Sequence, residues 1–313
     1  MNYEHYFQKD EAEVVALWNL CCNFDAITIQ KFRRQALFDE NFDRSLSWVA
    51  RNNQCITGFA YATKRIFPYY ERGLQAEQGW INVLFVHPEY RNQGIGDTLL
   101  QKCEEALIEK GATEIILGAY SPNYFFYGVD EEHYPQAAAF FKAHGYQSGN
   151  RHYSMGRDLH GYQISQETLL KMKALQEEGY SFAPFSYPYS LKLLEFARKE
   201  FVGWKHHLLV CLQKGKAEER IVLALYKDQV VGFALRATDD NDMRFGPIGI
   251  QSELRNKGIG GVLLEYQLYE MSKRGIYRMF FMTTDEPGKR YYQRHGLQVI
   301  RCFKEYWKEL FVD

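Results

Sequence analysis

One stretch of this chain occurs twice, and that repeat constrains the fold more than any other feature. The first copy spans Val83 to Gly96 and the second spans Pro247 to Gly260, an offset of 255 − 91 = 164 residues. Each copy has an apolar strand-like run, a polar turn, an Arg-x-x-Gly-x-Gly segment and a helical pattern that begins with Leu-Leu. This order predicts two units of the same α/β type.

The glycine-rich turn predicts a binding place for a phosphate or diphosphate. It exposes the first backbone N–H groups of the following helix, and the positive end of the helix dipole lies there. A single Gly-x-Gly turn can equally serve close packing, but two copies in register favour a ligand. The chain has no Gly-Lys-Ser/Thr, so the turn is not a nucleotide triphosphate loop. It also lacks the Gly-x-Gly-x-x-Gly fingerprint, which argues against a dinucleotide-dependent oxidoreductase.

The two repeated segments resemble a family motif. Arg91-Asn92-Gln93-Gly94-Ile95-Gly96 and Arg255-Asn256-Lys257-Gly258-Ile259-Gly260 are similar to the (Gln/Arg)-x-x-Gly-x-(Gly/Ala) segment of the GCN5-related N-acetyltransferases (GNAT). His87-Pro88-Glu89-Tyr90 resembles that family's lead-in, and the layout is similar to its tandem members, of which mycothiol synthase is one.

The resemblance implies that acetyl-CoA is the co-substrate and that both segments bind it. It also implies that a splayed strand pairs with the pantetheine arm and stabilises the oxyanion, for which the corresponding residues are Leu84, Phe85 and Val86, and Ile248, Gly249 and Ile250. Pro247 in the second strand cannot donate to a ladder, which predicts a β-bulge there.

We therefore expect an α/β fold with mixed sheets, built from two tandem GNAT domains that form a pseudo-dimer. The predicted boundaries are 1–160 for the first domain, 161–179 for a helical connector and 180–313 for the second domain. A chain of 313 residues with 46% hydrophobic content can bury two cores.

The two halves differ at the position that the family uses for its general acid. By resemblance, a tyrosine four residues before a glycine protonates the departing thiolate, and its reference pKa near 10 keeps it protonated at pH 7. Tyr292 precedes Gly296 by four residues, whereas Phe141 precedes Gly145. We therefore expect the second half to be the transferase, and the first half to keep a cofactor-like site.

The first half contains an aromatic insert of 13 residues relative to the second, because 292 − 141 = 151 rather than 164. Its segment Ser121–Asp130 could line an acceptor pocket, or it could cover the seam between the domains, and both interpretations stay open. Three tyrosines in or near it could supply the missing proton: Tyr124, Tyr127 and Tyr134.

The general base is less clearly marked. Asp242 is the predicted base, and Asp239 and Asp240 lie in the same loop before the second motif strand. A run of acids in a loop is also typical of a solvated turn. His206-His207 is an alternative.

Composition limits the partners. The net charge of −1 gives no basic excess for nucleic acid or an anionic membrane surface, and no apolar run reaches about 18 residues. The six cysteines form no Cys-x-x-Cys pair, which favours reduced thiols in a cytoplasmic protein without a metal.

The predicted function is transfer of an acetyl group to an amine of a small molecule or peptide. No cysteine lies in the repeated motif, so we expect direct attack in a ternary complex. The chain would act as a monomer that is a pseudo-dimer, or as a homodimer. The alternative is a CoA-binding regulatory or scaffold protein.

Overall fold

The computed structural model describes residues Met1–Leu310, so the last three residues of the predicted second domain lie outside the described residues. The strands are β1 (Asn2–His5), β2 (Ser47–Asn52), β3 (Cys55–Thr63), β4 (Gln78–Val86), β5 (Glu114–Leu117), β6 (Gln147–Asp158), β7 (Tyr180–Pro184), β8 (Ile221–Tyr226), β9 (Gln229–Arg236), β10 (Phe245–Ile250), β11 (Arg278–Phe281) and β12 (Gln298–Glu309). The α-helices are α1 (Glu11–Cys21), α2 (Ile29–Phe32), α3 (Ile95–Glu109), α4 (Pro135–Ala143), α5 (Gln166–Glu177), α6 (Ser190–Glu200), α7 (Val202–Gln213), α8 (Ala217–Arg220), α9 (Ile259–Lys273) and α10 (Glu286–Arg294).

The chain forms two compact units whose bounds differ from the predicted domains. Among the described residues, unit 1 contains Met1–His152 and Cys302–Leu310, and unit 2 contains Tyr153–Arg301. Strand β6 therefore begins in unit 1 and ends in unit 2, and β12 begins in unit 2 and ends in unit 1. The predicted connector, 161–179, lies within unit 2.

Unit 1 is a mixed sheet with helices on both faces. Its strands follow the order β1-β2-β3-β4-β5, and the end of β12 adds to β5 through pairs such as Trp307↔Ile116. All neighbouring pairs are antiparallel except β4 with β5. One face carries α1 with Trp18, and the other carries α3.

The sequence of α3 explains its position in unit 1. Leu99, Leu100, Cys103 and Leu107 lie on one face of the helix and are buried against the sheet. Gly58 in β3 permits this approach, because a Cβ there would lie 2.9 Å from Leu99 Cδ1. Truncation of Leu99 to alanine would cost about 2–5 kcal/mol.

Unit 2 repeats the same design. Strands β10-β9-β8-β7 form an antiparallel sheet, and β11 pairs with the end of β6 through Phe281↔Met155. Helices α6 and α7 cover the face that carries Phe233 and Leu235. Helix α9 packs against β8 and β9, and α5 packs against α9. Ser165 caps α5, because its side chain accepts the N–H of Thr168.

Short strands were the elements that the sequence did not reveal. Strands β1 and β7 have four and five residues and no predicted counterpart. Strand β6 has twelve residues and starts at Gln147. Strand pairing, which is not local in sequence, decides where these strands begin and end.

Candidate active site

In unit 1, one edge of the central strand β4 is open over its second half. Strand β4 pairs with β5 only from Gln78 to Ile81, and the chain after β5 then diverges. Residues 82–86, which include the predicted Leu84, Phe85 and Val86, pair with β3 on one side and with no described strand on the other. Such an edge leaves backbone groups available to a bound chain.

In unit 2, the corresponding strand β10 is open along its whole length on the side of β11. A single parallel bridge, Arg244↔Phe280, joins the two just before β10 begins. The register of β10 with β9 shifts between Phe245 and Ile248, so the bulge predicted at Pro247 is confirmed. Ile248, Gly249 and Ile250 follow this bulge, and a Cβ at Gly249 would lie 2.5 Å from the Phe201 ring.

Each open strand leads into an exposed glycine turn. We name the segments glycine turn 1 (Arg91–Asp97) and glycine turn 2 (Arg255–Gly261). Gly94 and Gly258 cap the two helices with φ of 77° and 84°, values that favour glycine. Neither cap makes a side-chain hydrogen bond. The exposed residues that precede the helices are Arg91, Asn92, Gln93 and Gly94, and Arg255, Asn256, Lys257 and Gly258.

Within each glycine turn, only the first helical residue is fully enclosed. Ile95 and Ile259 are buried and anchor α3 and α9 to the sheets. Gly96 and Gly260 are partly exposed and let aromatic rings come close: a Cβ would lie 3.3 Å from Phe140 Cε2 and 3.3 Å from the Tyr291 hydroxyl, respectively. The helix tips are therefore accessible to an anion.

The two glycine turns differ in charge. In glycine turn 1, Arg91 is engaged, because its Nε donates to Val86 O (3.1 Å), and Asp97 places a carboxylate in the first helical turn. In glycine turn 2, Arg255 and Lys257 make no side-chain hydrogen bond or ion pair with the described residues. A third cationic side chain lies against the same turn, since a Cβ at Gly258 would be 2.6 Å from Lys171 Cε. Glycine turn 2 is the more cationic, and Lys171 was not predicted.

Tyr292 lies on α10 beside the open cleft of unit 2. Its ring centroid is 4.5 Å from that of Phe281 in β11. Its hydroxyl makes no hydrogen bond with the described residues, and burial raises its pKa, so it keeps its proton at neutral pH. The counterpart Phe141 is buried and packs against Tyr146 with centroids 5.4 Å apart.

The predicted base Asp242 is already paired. Its Oδ1 accepts from Arg236 Nη1 at 2.7 Å, and its side chain is 65% exposed. Asp240 accepts from Lys214 and Arg220, which lowers its pKa, and Asp239 lies 3.4 Å from Arg244 Nη1. For Asp240, the lowered pKa favours the ionised carboxylate and weakens it as a base.

His207 lies on α7 in different surroundings. Burial, together with the positive charges of His206 and Arg244, lowers its pKa to about 4. Its imidazole is therefore neutral at pH 7 and can accept a proton. Arg244 belongs to the bridge from which β10 and β11 diverge. This histidine could not be placed from the sequence alone.

The aromatic insert packs inside unit 1. Phe125 lies 4.8 Å and Phe126 lies 5.9 Å from Trp18 of α1, measured between ring centroids. Tyr134 donates its hydroxyl to Asp25 Oδ2 at 2.7 Å. Tyr124 contacts Tyr127, whose ring is 4.5 Å from His152. The two phenylalanines thus complete the core on the α1 face of β4.

Residues 1–310 contain no group of three or more His, Cys, Asp or Glu side chains placed to hold a metal ion. No helix in this range is long and apolar enough to cross a membrane.

An open strand edge and an exposed helix tip in each α/β unit are the arrangement of an acyltransferase. Comparison with protein families agrees. The chain belongs to the GNAT family, since the model described as "Acetyltransferase (GNAT) family" matches residues 12–146 and 189–297, more than half of its length. Both glycine turns fall within the matched ranges.

Several solved structures share the fold across the whole chain. The GCN5-related glucosamine N-acetyltransferase region of a fungal multi-domain GH3 β-N-acetylglucosaminidase has a TM-score of 0.80 at 20% identity and covers 98% of this chain. This chain spans only 38% of that protein's length. A GCN5-related N-acetyltransferase from Sphaerobacter thermophilus has a TM-score of 0.70 at 17% identity and covers 98% of this chain and 95% of its own.

A tandem GNAT protein from the clavulanic acid biosynthesis pathway has a TM-score of 0.64 at 15% identity and covers 100% of this chain and 99% of its own. At these identities the structures establish the shared fold, and the tandem arrangement of two GNAT regions is part of it.

Proposed function

We propose that this protein transfers the acetyl group of acetyl-CoA to a primary amine of a small molecule or peptide, and that unit 2 carries out the reaction. The observation that carries the proposal is the position of Tyr292, an unpaired hydroxyl on α10 beside the open edge of β10. Unit 1 has a phenylalanine, Phe141, in the corresponding place.

The residues of unit 2 fit the co-substrate. The first N–H groups of α9, with Arg255, Lys257 and Lys171 around them, suit a diphosphate. The open edge from Ile248 to Ile250 suits the amides of the pantetheine arm. Backbone N–H groups there can also stabilise the negative charge that develops on the carbonyl oxygen.

The chemistry then requires two proton movements. The amine nitrogen attacks the acetyl carbonyl carbon, an N–C bond forms and the C–S bond breaks. Tyr292 gives its proton to the departing sulfur, so that the products are an amide and the free thiol. The proton lost by the amine passes to a base, and solvent restores the proton of Tyr292.

For the base we propose two candidates, His207 and Asp242, and we favour His207. The neutral imidazole of His207 has a lone pair at pH 7, whereas the Asp242 carboxylate is held by the buried Arg236. Arg244 lies near His207 and forms the bridge with Phe280. This supports a position for His207 near the acetyl end of the cleft. A water molecule could complete the path.

For unit 1 we propose a binding or supporting role without turnover. In glycine turn 1 the carboxylate of Asp97 lies at the tip of α3. The position of the proposed general acid is occupied by Phe141. In the alternative, a CoA-binding regulatory or scaffold protein, unit 2 would also bind without turnover. We also propose a cytoplasmic location, supported by six cysteines that form no disulfide.

The direct experiment measures release of free thiol from acetyl-CoA with a panel of amines. The panel includes glucosamine, because the similar fungal region is a glucosamine N-acetyltransferase, together with polyamines, amino acids and peptides with free N-termini. Turnover on at least one amine supports the transferase. Calorimetric binding of CoA without turnover on any amine would favour the regulatory alternative.

A further inference from the structure

The histidine at the end of α10 faces the tip of α9. A Cβ on Gly261, in the first turn of α9, would lie 2.8 Å from His295 Cε1 and 3.0 Å from its Nε2. The first turn of α9 has no acidic side chain and no side-chain cap, so its leading N–H groups are unsatisfied. His295 Nε2 makes no hydrogen bond with the described residues.

A buried carboxylate fixes the other side of the ring. His295 Nδ1 lies 2.9 Å from Glu265 Oε1, and Glu265 also accepts from Ser165 N (2.9 Å) and Thr168 Oγ1 (2.8 Å). Burial alone would raise the pKa of Glu265, but these hydrogen bonds lower it to about 2. The carboxylate can therefore only accept, so Nδ1 carries a proton and the ring orientation is set.

Unit 1 has the same histidine in a different state. His144 corresponds to His295, since both stand one residue before a glycine. Its Nε2 lies 2.9 Å from Asp97 Oδ1, and its Nδ1 lies 2.8 Å from Phe140 O. Asp97 occupies the position of Gly261, 164 residues earlier. In unit 1 the Asp97 carboxylate thus pairs with His144 and occupies the place of an anion at the helix tip.

We infer that His295 is a ligand of the co-substrate's diphosphate and that Glu265 is the positioning residue that aims it. In the imidazolium form, Nδ1–H donates to Glu265 and Nε2–H donates to a phosphate oxygen beside the N–H groups of α9. The absence of a Cβ at Gly261 leaves the space for the His295 ring to lie against the first turn of α9. This inference rests on the proposed function, namely that unit 2 binds acetyl-CoA.

The experiment compares side chains that differ in where they place a donor. His295→Gln keeps an amide N–H near the position of Nε2, whereas His295→Asn keeps one only near Nδ1. For His295→Asn we expect KM for acetyl-CoA to rise about tenfold with kcat within twofold, as for loss of a hydrogen bond to a charged group. His295→Gln should stay within about threefold of wild type. Inorganic pyrophosphate should compete with CoA less well against His295→Asn by a similar factor.

A second pair of variants tests the comparison with unit 1. Gly261→Asp gives His295 an internal partner, and Gly261→Ala adds the same Cβ without charge. We expect Gly261→Asp to weaken CoA binding at least tenfold more than Gly261→Ala. Unchanged KM in both His295→Asn and Gly261→Asp would overturn the inference, as would a fall in kcat with KM unchanged.

A further variant, Gly258→Asp, separates this inference from the proposed function. It places a charge on the same helix tip without touching His295. If Gly258→Asp abolishes CoA binding while the His295 and Gly261 variants bind like wild type, the role of His295 is wrong and the site stands. If Gly258→Asp binds CoA like wild type, the site in unit 2 is wrong.

Discussion

The ring of Tyr292 on α10 lies 4.5 Å from the ring of Phe281 on β11, at the side of the cleft that the bulged strand β10 leaves open. In unit 1 the equivalent Phe141 packs into the core with Tyr146 instead. The same α/β design thus carries a tyrosine at this position in unit 2 and a phenylalanine in unit 1. The proposed division of labour rests on this difference.

Replacing Tyr292 by phenylalanine should remove the general acid. We expect kcat to fall about 100-fold, because general acid catalysis typically contributes that much, while the Kd for CoA stays within twofold. Free-thiol release and calorimetry measure the two quantities. Tyr291→Phe is the matched control, one residue away on the same helix, and should retain kcat within about threefold. Equal loss in both variants would point to packing rather than acid catalysis.

The base can be assigned by comparing His207→Gln with Asp242→Asn. If His207 accepts the proton of the amine, its glutamine variant should lose at least about tenfold in kcat/KM, and Asp242→Asn should lose much less. Because the pKa of His207 is about 4, its imidazole stays neutral as the pH falls toward that value. Activity that depends on the neutral imidazole should therefore persist on the acidic side of the pH–activity profile until the pH approaches 4. A larger loss in Asp242→Asn would reverse the assignment.

Acid should weaken unit 2 through Glu265. Its pKa in the folded protein is about 2, below its ordinary value of 4.5, so the group contributes stability above pH 4.5 and loses it as pH falls toward 2. The shift corresponds to at most about 3 kcal/mol. Urea unfolding at several pH values should show that Glu265→Gln is least stable relative to wild type at neutral pH. A difference that does not shrink between pH 5 and pH 3 would contradict the lowered pKa.

Ending the chain at Arg301 should destabilise unit 1 although the cut lies at the end of unit 2. The lost residues include Trp307, which pairs with Ile116 of β5, and the fully buried Tyr306, whose hydroxyl donates to Glu131 at 2.7 Å. Hydrogen exchange should show lost protection in residues 114–117. Tyr306→Phe, which keeps the strand and removes one hydrogen bond, should cost only about 1–2 kcal/mol. Full protection of β5 in the truncated chain would contradict the role of β12.

The sequence predicted what depends on local chemistry. The bulge at Pro247 follows from the residue itself, which cannot donate to a strand ladder. The acetyltransferase family also followed from such a local motif.

Features that join distant segments could not be read in this way. Glu265, Ser165 and His295 belong to three separate elements and meet by hydrogen bonds of Glu265. Lys171 reaches Gly258 from α5. The passage of β6 and β12 from one unit to the other depends on long-range strand pairing, which leaves no local signal. For the same reason the ion pair of Asp242 with Arg236 was not foreseen.

The most direct test of the account pairs Gly258→Asp with Gly94→Asp. Both substitutions put a carboxylate at a helix tip with φ near 80°, so their backbone strain is comparable. Acetyl transfer from acetyl-CoA to the best amine is measured for both, with thermal unfolding as the control for folding. The account predicts that Gly258→Asp loses at least about 100-fold in kcat/KM and that Gly94→Asp stays within about threefold of wild type. Equal loss of turnover in the two variants would contradict it.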